Sequence, residues 1–508
     1  MAQLLEEGAA ICSGGEGGDD ARPLKPLWMR PANHPTADDS VSPRPETVVL
    51  DTMAYIDDEA NGTTAYGTRS DEKSKIQVTF WIAQPPRVSY FTVHCPGLKP
   101  DAFPKLPRVV ATEDGLALLR VTVFPEHNLE EGRVNEFFIY RAGTDNKQPT
   151  LQLLPNPDPR YYADNEVGIL NLPADDRFFV VVLNRDPFTT PVTGHIHMFD
   201  SETWKWDTKP VSPPESYCYK ITDKVFKIGG RYGGSMGWID FWNGIFIYDV
   251  ILGGNTISYK ALPSVGLPSL KGLGSTVRDI VMVNGFIKYF CMFSPGDDTT
   301  NVSGDWAAYA WRMKYPLQDW QQDCHFNASQ IMGNQKHSGR LQDKPEGVEK
   351  PDLMLRAGSP VLSLHDADVV YILTKPMYND DMAWVHAVNI RTKTVQGIAE
   401  FSPDRTVGLM FSCTQSSIFK PKVIEVNEED SWTHVPLKKK NGAPAGAQQG
   451  LPRHEGMHIG MGQRRHQMGT NNGRGSGTLG GRGGKPWSRP HNGAGRGGQV
   501  HQNIAFTT

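Results

Sequence analysis

Gly233-Gly234-Ser235-Met236-Gly237 spells G-x-S-x-G, the spacing that in one class of hydrolases lifts a nucleophilic serine onto a sharp turn. That chemistry needs a strand before the serine, a helix after it and an α/β sheet around both. A strand-like aromatic run follows here instead, and the chain shows no strand–helix alternation. The segment is therefore expected to be a Gly-rich loop between strands, its glycines supplying positive φ. His195 and His197 lie two residues apart, so on a strand they share a face and could offer imidazole to a metal. A structural site needs four converging ligands, and a third is missing nearby. In His94-Cys95 and Cys324-His325 the adjacent side chains face opposite ways on a strand. His365-Asp366-Ala367-Asp368 reads as a turn held by its acids ahead of a strand at Val369. Asp57-Asp58 and Asp380-Asp381 sit in loops with nothing to make them an acid/base couple. No Walker loop is present, nor a G-x-G-x-x-G in a βαβ setting. The sequence thus assigns no catalytic residue, no metal ligand and no cofactor, and the expectation is a protein that binds rather than catalyses.

A second chemistry lies near the C-terminus. Gly473-Arg474-Gly475, Gly481-Arg482-Gly483-Gly484 and Gly495-Arg496-Gly497-Gly498 resemble the RGG segments of RNA-binding proteins. Arginines spaced on a flexible glycine chain can neutralise phosphates and stack on bases, so Arg474, Arg482 and Arg496 are the candidate nucleic-acid contacts. Lys438-Lys439-Lys440 and Arg464-Arg465-His466 add positive charge, and the lysine run could also serve nuclear import. Aromatic interleaving is sparse, with only Trp487 and Phe506. The alternative is a solvated extension with weak affinity for any polyanion.

The elements that must position any site are strands. From about residue 46 to 430, short β-branched and aromatic runs are bounded by turn residues, and helical periodicity is nearly absent. Five hairpins recur. Phe137–Tyr140 returns at Leu151–Leu154, His195–Phe199 at Trp204–Trp206, Ile245–Tyr248 at Ile257–Tyr259, Ala308–Trp311 near Trp320, and Val385–Ile390 at Val395–Phe401. They lie about 50–75 residues apart, near or above the spacing of propeller blades once loop insertions are allowed. A single four-stranded sheet cannot bury both its faces, whereas sheets packed radially bury each other's. The expectation is an all-β, β-propeller-like domain of five or six blades, with Gly408–Cys413 and Val423–Val426 available to pair with the first strands and close the ring. A β-sandwich is the alternative architecture, although sandwiches usually run to about 100 residues. Residues 1–45 and 431–508 read as disordered tails, and 327–351 as a polar surface loop.

Composition agrees with a reduced, intracellular setting. The 508 residues carry a formal net charge of −4, which hides an acidic body and a basic tail, since from Leu437 onward eleven Lys and Arg face one acid. The six cysteines are scattered without a framework and mostly flanked by apolar residues, as buried thiols would be. The start of the chain carries Glu6, Glu7, Asp19 and Asp20 where a signal peptide would be apolar, and no run approaches the length of a membrane helix. The protein is expected in the nucleus or cytoplasm, not secreted and not in a membrane. The sequons at Asn61, Asn301 and Asn327 would then go unused.

The most distinctive run is Gly237-Trp238-Ile239-Asp240-Phe241-Trp242-Asn243-Gly244-Ile245-Phe246-Ile247-Tyr248-Asp249-Val250. On a continuous strand Trp238, Asp240 and Trp242 would share one face, as a core ladder with a satisfied carboxylate or as a binding surface; core packing is the reading adopted. Asn243-Gly244 would make the tight turn that follows. The run resembles the G-W-x-D-x-W-x-G-I-x-x-x-D hallmark of a plant family, expanded in grasses, known as domain of unknown function 1618. Tyr259-Lys260-Ala261-Leu262-Pro263 is similar to the strand ending in Leu-Pro that follows it, and Arg278-Asp279-Ile280 to a downstream R-D-I/V element. The looser resemblance spans roughly residues 48–426. It implies a propeller-like domain distantly akin to the substrate-binding region of F-box proteins, with no established activity and no catalytic residues to carry over. Gly237, Trp238, Asp240, Trp242, Gly244 and Asp249 are then family-motif residues of structural role. Residues 1–45 show no F-box helices, which argues against a ubiquitin-ligase adaptor. Two functions follow as expectations: a non-catalytic module that binds a protein partner and could serve regulation, or an RNA-associated protein using its tail.

Overall fold

The computed structural model describes residues 28–29 and 45–419, apart from 124–133, 145, 157–161, 187–192, 215–219, 230–232, 264–271, 297–298, 301, 317, 333–355, 377–382 and 402–412. The Gly/Arg-rich tail with Arg474, Arg482 and Arg496, most of the leader, Asp380-Asp381 and residues 333–351 of the polar loop lie outside the described residues.

Six sheets form a six-bladed β-propeller. Blade 1 is β6 (Lys105–Glu113), β7 (Leu116–Val123), β8 (Val134–Arg141) and β9 (Thr150–Leu153). Blade 2 is β10 (Val167–Leu172), β11 (Arg177–Asp186), β12 (Thr193–Asp200) and β13 (Lys205–Val211). Blade 3 is β14 (Lys224–Gly229), β15 (Ser235–Asp240), β16 (Gly244–Asp249) and β17 (Ser258–Ala261). Blade 4 is β18 (Arg278–Val283), β19 (Phe286–Phe293), β20 (Ala307–Lys314) and β21 (Gln321–Asn327), and a short helix α1 (Ala328–Met332) follows it. Blade 5 is β22 (Arg356–Leu362), β23 (Val369–Lys375), β24 (Ala383–Asn389) and β25 (Thr394–Phe401). Each is an antiparallel meander in chain order, and the first strands neighbour one another around the centre. All five hairpins expected from the sequence are the last two strands of these blades.

Blade 6 joins the two ends of the domain. Its order is β26 (Cys413–Ser416), β1 (Val48–Asp51), β5 (Val88–His94), β4 (Lys75–Trp81) and β3 (Ala65–Thr68), with β2 (Tyr55–Ile56) beside the far half of β5. Among the described residues the closing strand is 413–416, beginning at the last residue of the expected Gly408–Cys413 run; residues 408–412 and 423–426 lie outside the described residues. It pairs antiparallel with β1, Val48 opposite Ser416 and Asp51 opposite Cys413. Ile418 and Phe419 then enter the core between blades 6 and 1, where Phe419 meets Phe80 edge-on at 5.7 Å. Ser417 locks the seam, accepting the Asp114 amide at its hydroxyl and the Gly115 amide at its carbonyl.

The alternation along β11 shows why these runs are apolar at every position. Phe178, Val180 and Val182 pack against blade 1, while Phe179, Val181 and Leu183 pack against blade 3. Both faces are covered, so polar alternation is lost. In blades 1 to 5 the first-to-second and third-to-fourth turns leave from one face of the ring. These connections are short, and Asp114-Gly115 and Asn284-Gly285 are two-residue turns with both residues at positive φ. The second-to-third connections and the links between blades leave from the other face. Described parts of the long connections leave from that face, among them 154–156 and 162–166, 212–214 and 220–223, 272–277 and 302–306.

Candidate functional site

The aromatic motif of blade 3 ends on the loop face, and the structure divides its residues three ways. Trp238 stands on β15, fully buried toward blade 2, with its indole Nε1 donating to the Glu166 carbonyl at 3.0 Å. β15 stops at Asp240, so Trp242 lies in the turn 241–243 and packs toward blade 4. The expected single face for Trp238, Asp240 and Trp242 is thus corrected: the turn carries Trp242 to the opposite side of the sheet. Asp249 caps the far end of β16, where it accepts from Ser235 Oγ at 3.0 Å and from the Ile251 and Leu252 amides. The turn itself is three residues long, closed by the Asn243 amide on the Asp240 carbonyl at 3.1 Å, with Gly244 already paired opposite Asp240. Gly244 is required by packing rather than by turn geometry. A Cβ there would come within 2.5 Å of the Tyr259 ring, whose hydroxyl donates to the Asn243 carbonyl.

Asp240 is the centre of the cluster. It is wholly buried and accepts four hydrogen bonds. Oδ2 takes the amides of Lys220 (2.7 Å) and Ile221 (3.3 Å) and the Asn243 Nδ2 (2.8 Å), while Oδ1 takes the Trp242 amide at 2.9 Å. Asp223 grips in the other direction. Its Oδ2 accepts the Phe241 amide at 2.7 Å, and its own amide donates to the Ile239 carbonyl at 2.7 Å. The two carboxylates therefore hold each other's backbone, one from the entry to β14 and one from the end of β15. Burial, with Asp240 beside it, raises the Asp223 carboxyl to about 6, against the opposing pull of the Phe241 amide and Arg278.

Blade 4 completes the cluster through Arg278-Asp279. The buried Arg278 guanidinium lies 4.1 Å over the Trp242 ring and donates from Nη1 to the Phe241 carbonyl at 2.5 Å. Asp279 ties three inner strands together, accepting Lys224 Nζ of β14 at 2.7 Å and the Leu362 amide of β22 at 2.8 Å. Ile221, whose amide Asp240 holds, is 52% exposed, and Trp242, held by the other oxygen of the same carboxylate, is half-buried. Sequence reasoning singled out neither Asp223 nor Ile221, because both lie before β14 and earn their roles only through contacts with Asp240 and Phe241.

The other candidates are placed as follows. Ser235 is the first residue of β15, buried, bonded to Asp249 and to the Tyr315 hydroxyl at 3.0 Å, and the chain continues as a strand rather than a helix. His195 and His197 do share a face, with ring centroids 6.2 Å apart, but the His197 Nδ1 is taken up by Thr208 Oγ1 at 2.9 Å. Among the described residues no three metal-ligating side chains gather. His365–Asp368 is the expected turn: the Asp366 carbonyl accepts the Val369 amide and its carboxylate the Asp368 amide, while Asp368 itself pairs with Arg391 and Lys288. Asn61 is locked, its Nδ2 donating to the Phe80 carbonyl and its Oδ1 accepting from Thr63.

Radial sheets closed by pairing of the last strand with the first define the class of this protein, a six-bladed β-propeller. Within it, residues 238–371 match the model of the family described as protein of unknown function (DUF1618), a stretch running from Trp238 in blade 3 through blade 4 to Tyr371 in blade 5. No curated protein sequence matches the chain. Among solved structures, the chain is similar to the β-propeller domain of the Trilobed protease from Pyrococcus furiosus, at 11% identity and a TM-score of 0.26, over 56% of this chain and 69% of that one. It is also similar to Saccharomyces cerevisiae Sqt1, at 10% identity and a TM-score of 0.27, over 59% and 64%. A third is Trypanosoma rangeli sialidase in complex with sialic acid, at 9% identity and a TM-score of 0.28, over 68% and 56%.

Proposed function

We propose that this propeller is a non-catalytic interaction module, working in the nucleus or cytoplasm, that takes a protein partner on its loop face. The observation that carries the proposal is the asymmetry of the ring. Tight, hydrogen-bonded turns occupy one face, and the long connections leave from the other, where the Asp240 carboxylate holds the backbone of the exposed Ile221. Recognition residues concentrate on long loops set on a rigid scaffold, and an apolar side chain fixed in place costs little entropy on binding. The motif's polar groups support the same reading. Asp240, Asp279 and Arg278 are engaged with backbone and with neighbouring blades, so their chemistry holds the surface in shape.

The test is affinity capture from a lysate of the source organism with the full chain, with Ile221→Asp, and with Leu252→Asp, which alters an exposed residue on the opposite face. The expected result is a set of RNase-resistant protein partners recovered by the full chain and by Leu252→Asp and lost with Ile221→Asp. Equal recovery by both variants would remove Ile221 from the interface. The RNA reading rests on the Gly-Arg runs around Arg474, Arg482 and Arg496. A chain ending at residue 430 separates the two readings. If capture needs residues 431–508 and collapses with RNase, the tail is the working part.

A further inference from the structure

We propose that Asp223 and Asp240 form a proton-operated clasp that sets how firmly Lys220 and Ile221 are held on the loop face. The inference deepens the proposed binding role by naming a regulation of that surface, and it rests on that reading for its biological meaning only. Its geometry is reciprocal: Asp240 grips the amides of Lys220 and Ile221, and Asp223 grips the amide of Phe241, so neither segment can leave without releasing the other. Two buried carboxylates in one clasp cannot both be ionised without cost, and the cost is relieved when the clasp opens to water.

The charged surroundings leave the proton as the adjustable part. From β15 the group facing Asp223 is Asp240, from β18 it is Arg278, and from β19 it is the buried Tyr289 hydroxyl, which stays protonated at neutral pH and below. Arg278 forms no ion pair among the described residues and is occupied with the Phe241 carbonyl and the Trp242 ring. Lys224, next along the chain, is already paired with Asp279. On the side of blade 2 the contact is neutral, Asn165 Nδ2 donating to the Thr222 carbonyl. Lys220 is exposed. Asp223 holds its proton to about pH 6 in the closed clasp, against an ordinary value of 3.8. Once opened to water the carboxyl regains that ordinary value, so opening becomes easier as pH rises, by about tenfold between pH 5 and pH 8.

Amide hydrogen exchange on the full chain, corrected for the intrinsic pH dependence of exchange, measures this without any partner. Protection of the Ile221 and Phe241 amides should fall about tenfold from pH 5 to pH 8, while the Val180 and Val181 amides of blade 2 stay level. In Asp223→Asn, whose side-chain oxygen can still accept the Phe241 amide, the fall should vanish. Unchanged protection in the wild-type chain, or an equal fall in the variant, overturns the clasp. Should the variant not fold, a carboxyl carbon titration of wild-type Asp223 decides, a midpoint near 6 supporting the clasp and one below 5 overturning it. Because the isolated chain is measured, loss of the clasp and loss of the binding reading are separate outcomes.

Discussion

His386 sets a pH dependence of stability that a single substitution should expose. Its ring is fully buried on β24; Nε2 shares a hydrogen bond with Thr374 Oγ1 at 2.9 Å, and Nδ1 has no partner among the described residues. Burial pushes the imidazole down from 6.5 to about 4. The folded value lies below the unfolded one, so the unfolded chain takes up the proton first as pH falls. The contribution of neutral His386 is therefore complete above about pH 6.5 and is lost progressively down to about pH 4, a change of about 3 kcal/mol. Asp223 works in the opposite sense over nearly the same range. Its folded value is raised from 3.8 to about 6, so its contribution is complete below about pH 4 and is lost as pH rises to 6, again about 3 kcal/mol. In the wild-type chain the two slopes nearly cancel. Urea midpoints followed by tryptophan fluorescence between pH 4.5 and 7.5 should separate them. His386→Gln should leave a protein whose stability falls as pH rises toward 6, and Asp223→Asn one whose stability rises toward 6.5. The loss of packing at residue 386 shifts the whole curve without changing its slope. If both variants run parallel to wild type across this range, the buried imidazole and the clasped carboxyl do not govern the titration and the reasoning fails.

Three further outcomes follow from individual contacts. Phe419→Ala removes the buried ring that anchors the closing strand against Phe80, and should cost about 3–4 kcal/mol by urea denaturation; a cost under 1 kcal/mol would mean that the ring does not depend on this anchor. Asp240→Asn places an NH2 group where three N–H donors converge, and should lower stability by about 3 kcal/mol or more while raising exchange at Ile221; wild-type exchange there would deny Asp240 its role. Ser235→Ala breaks bonds to Asp249 and Tyr315 and should lower the urea midpoint by the equivalent of about 1–2 kcal/mol. Ester turnover by the wild-type chain that disappears in this variant would restore the hydrolase reading.

The parts of the fold legible in the sequence are those in which local chemistry and global packing agree. His195–Phe199, Asp200–Thr203 and Trp204–Trp206 make a hairpin because polar turn residues separate two apolar runs, and the final structure asks nothing else of them. The Asp114-Gly115 and Asn284-Gly285 turns carry equally clear signals, and they mark where two inner strands end. The closing strand is harder to see. Cys413–Ser416 has only four residues and little apolar character, and its place is set by β1, more than 360 residues away, and by Ile418 and Phe419 beyond it. The motif fails differently. Even spacing predicts one face only while a strand lasts, and here Asp240 ends the strand by taking the Trp242 amide onto its own carboxylate. The same carboxylate that stops β15 through Oδ1 sends Trp242 toward Arg278, recruits Lys220 and Ile221 from before β14 through Oδ2, and turns a row of alternating residues into a junction between blades. A buried acid at a strand end, with aromatic residues on both sides, thus specifies a change of direction, and the loop-face surface around Ile221 is the consequence of that change.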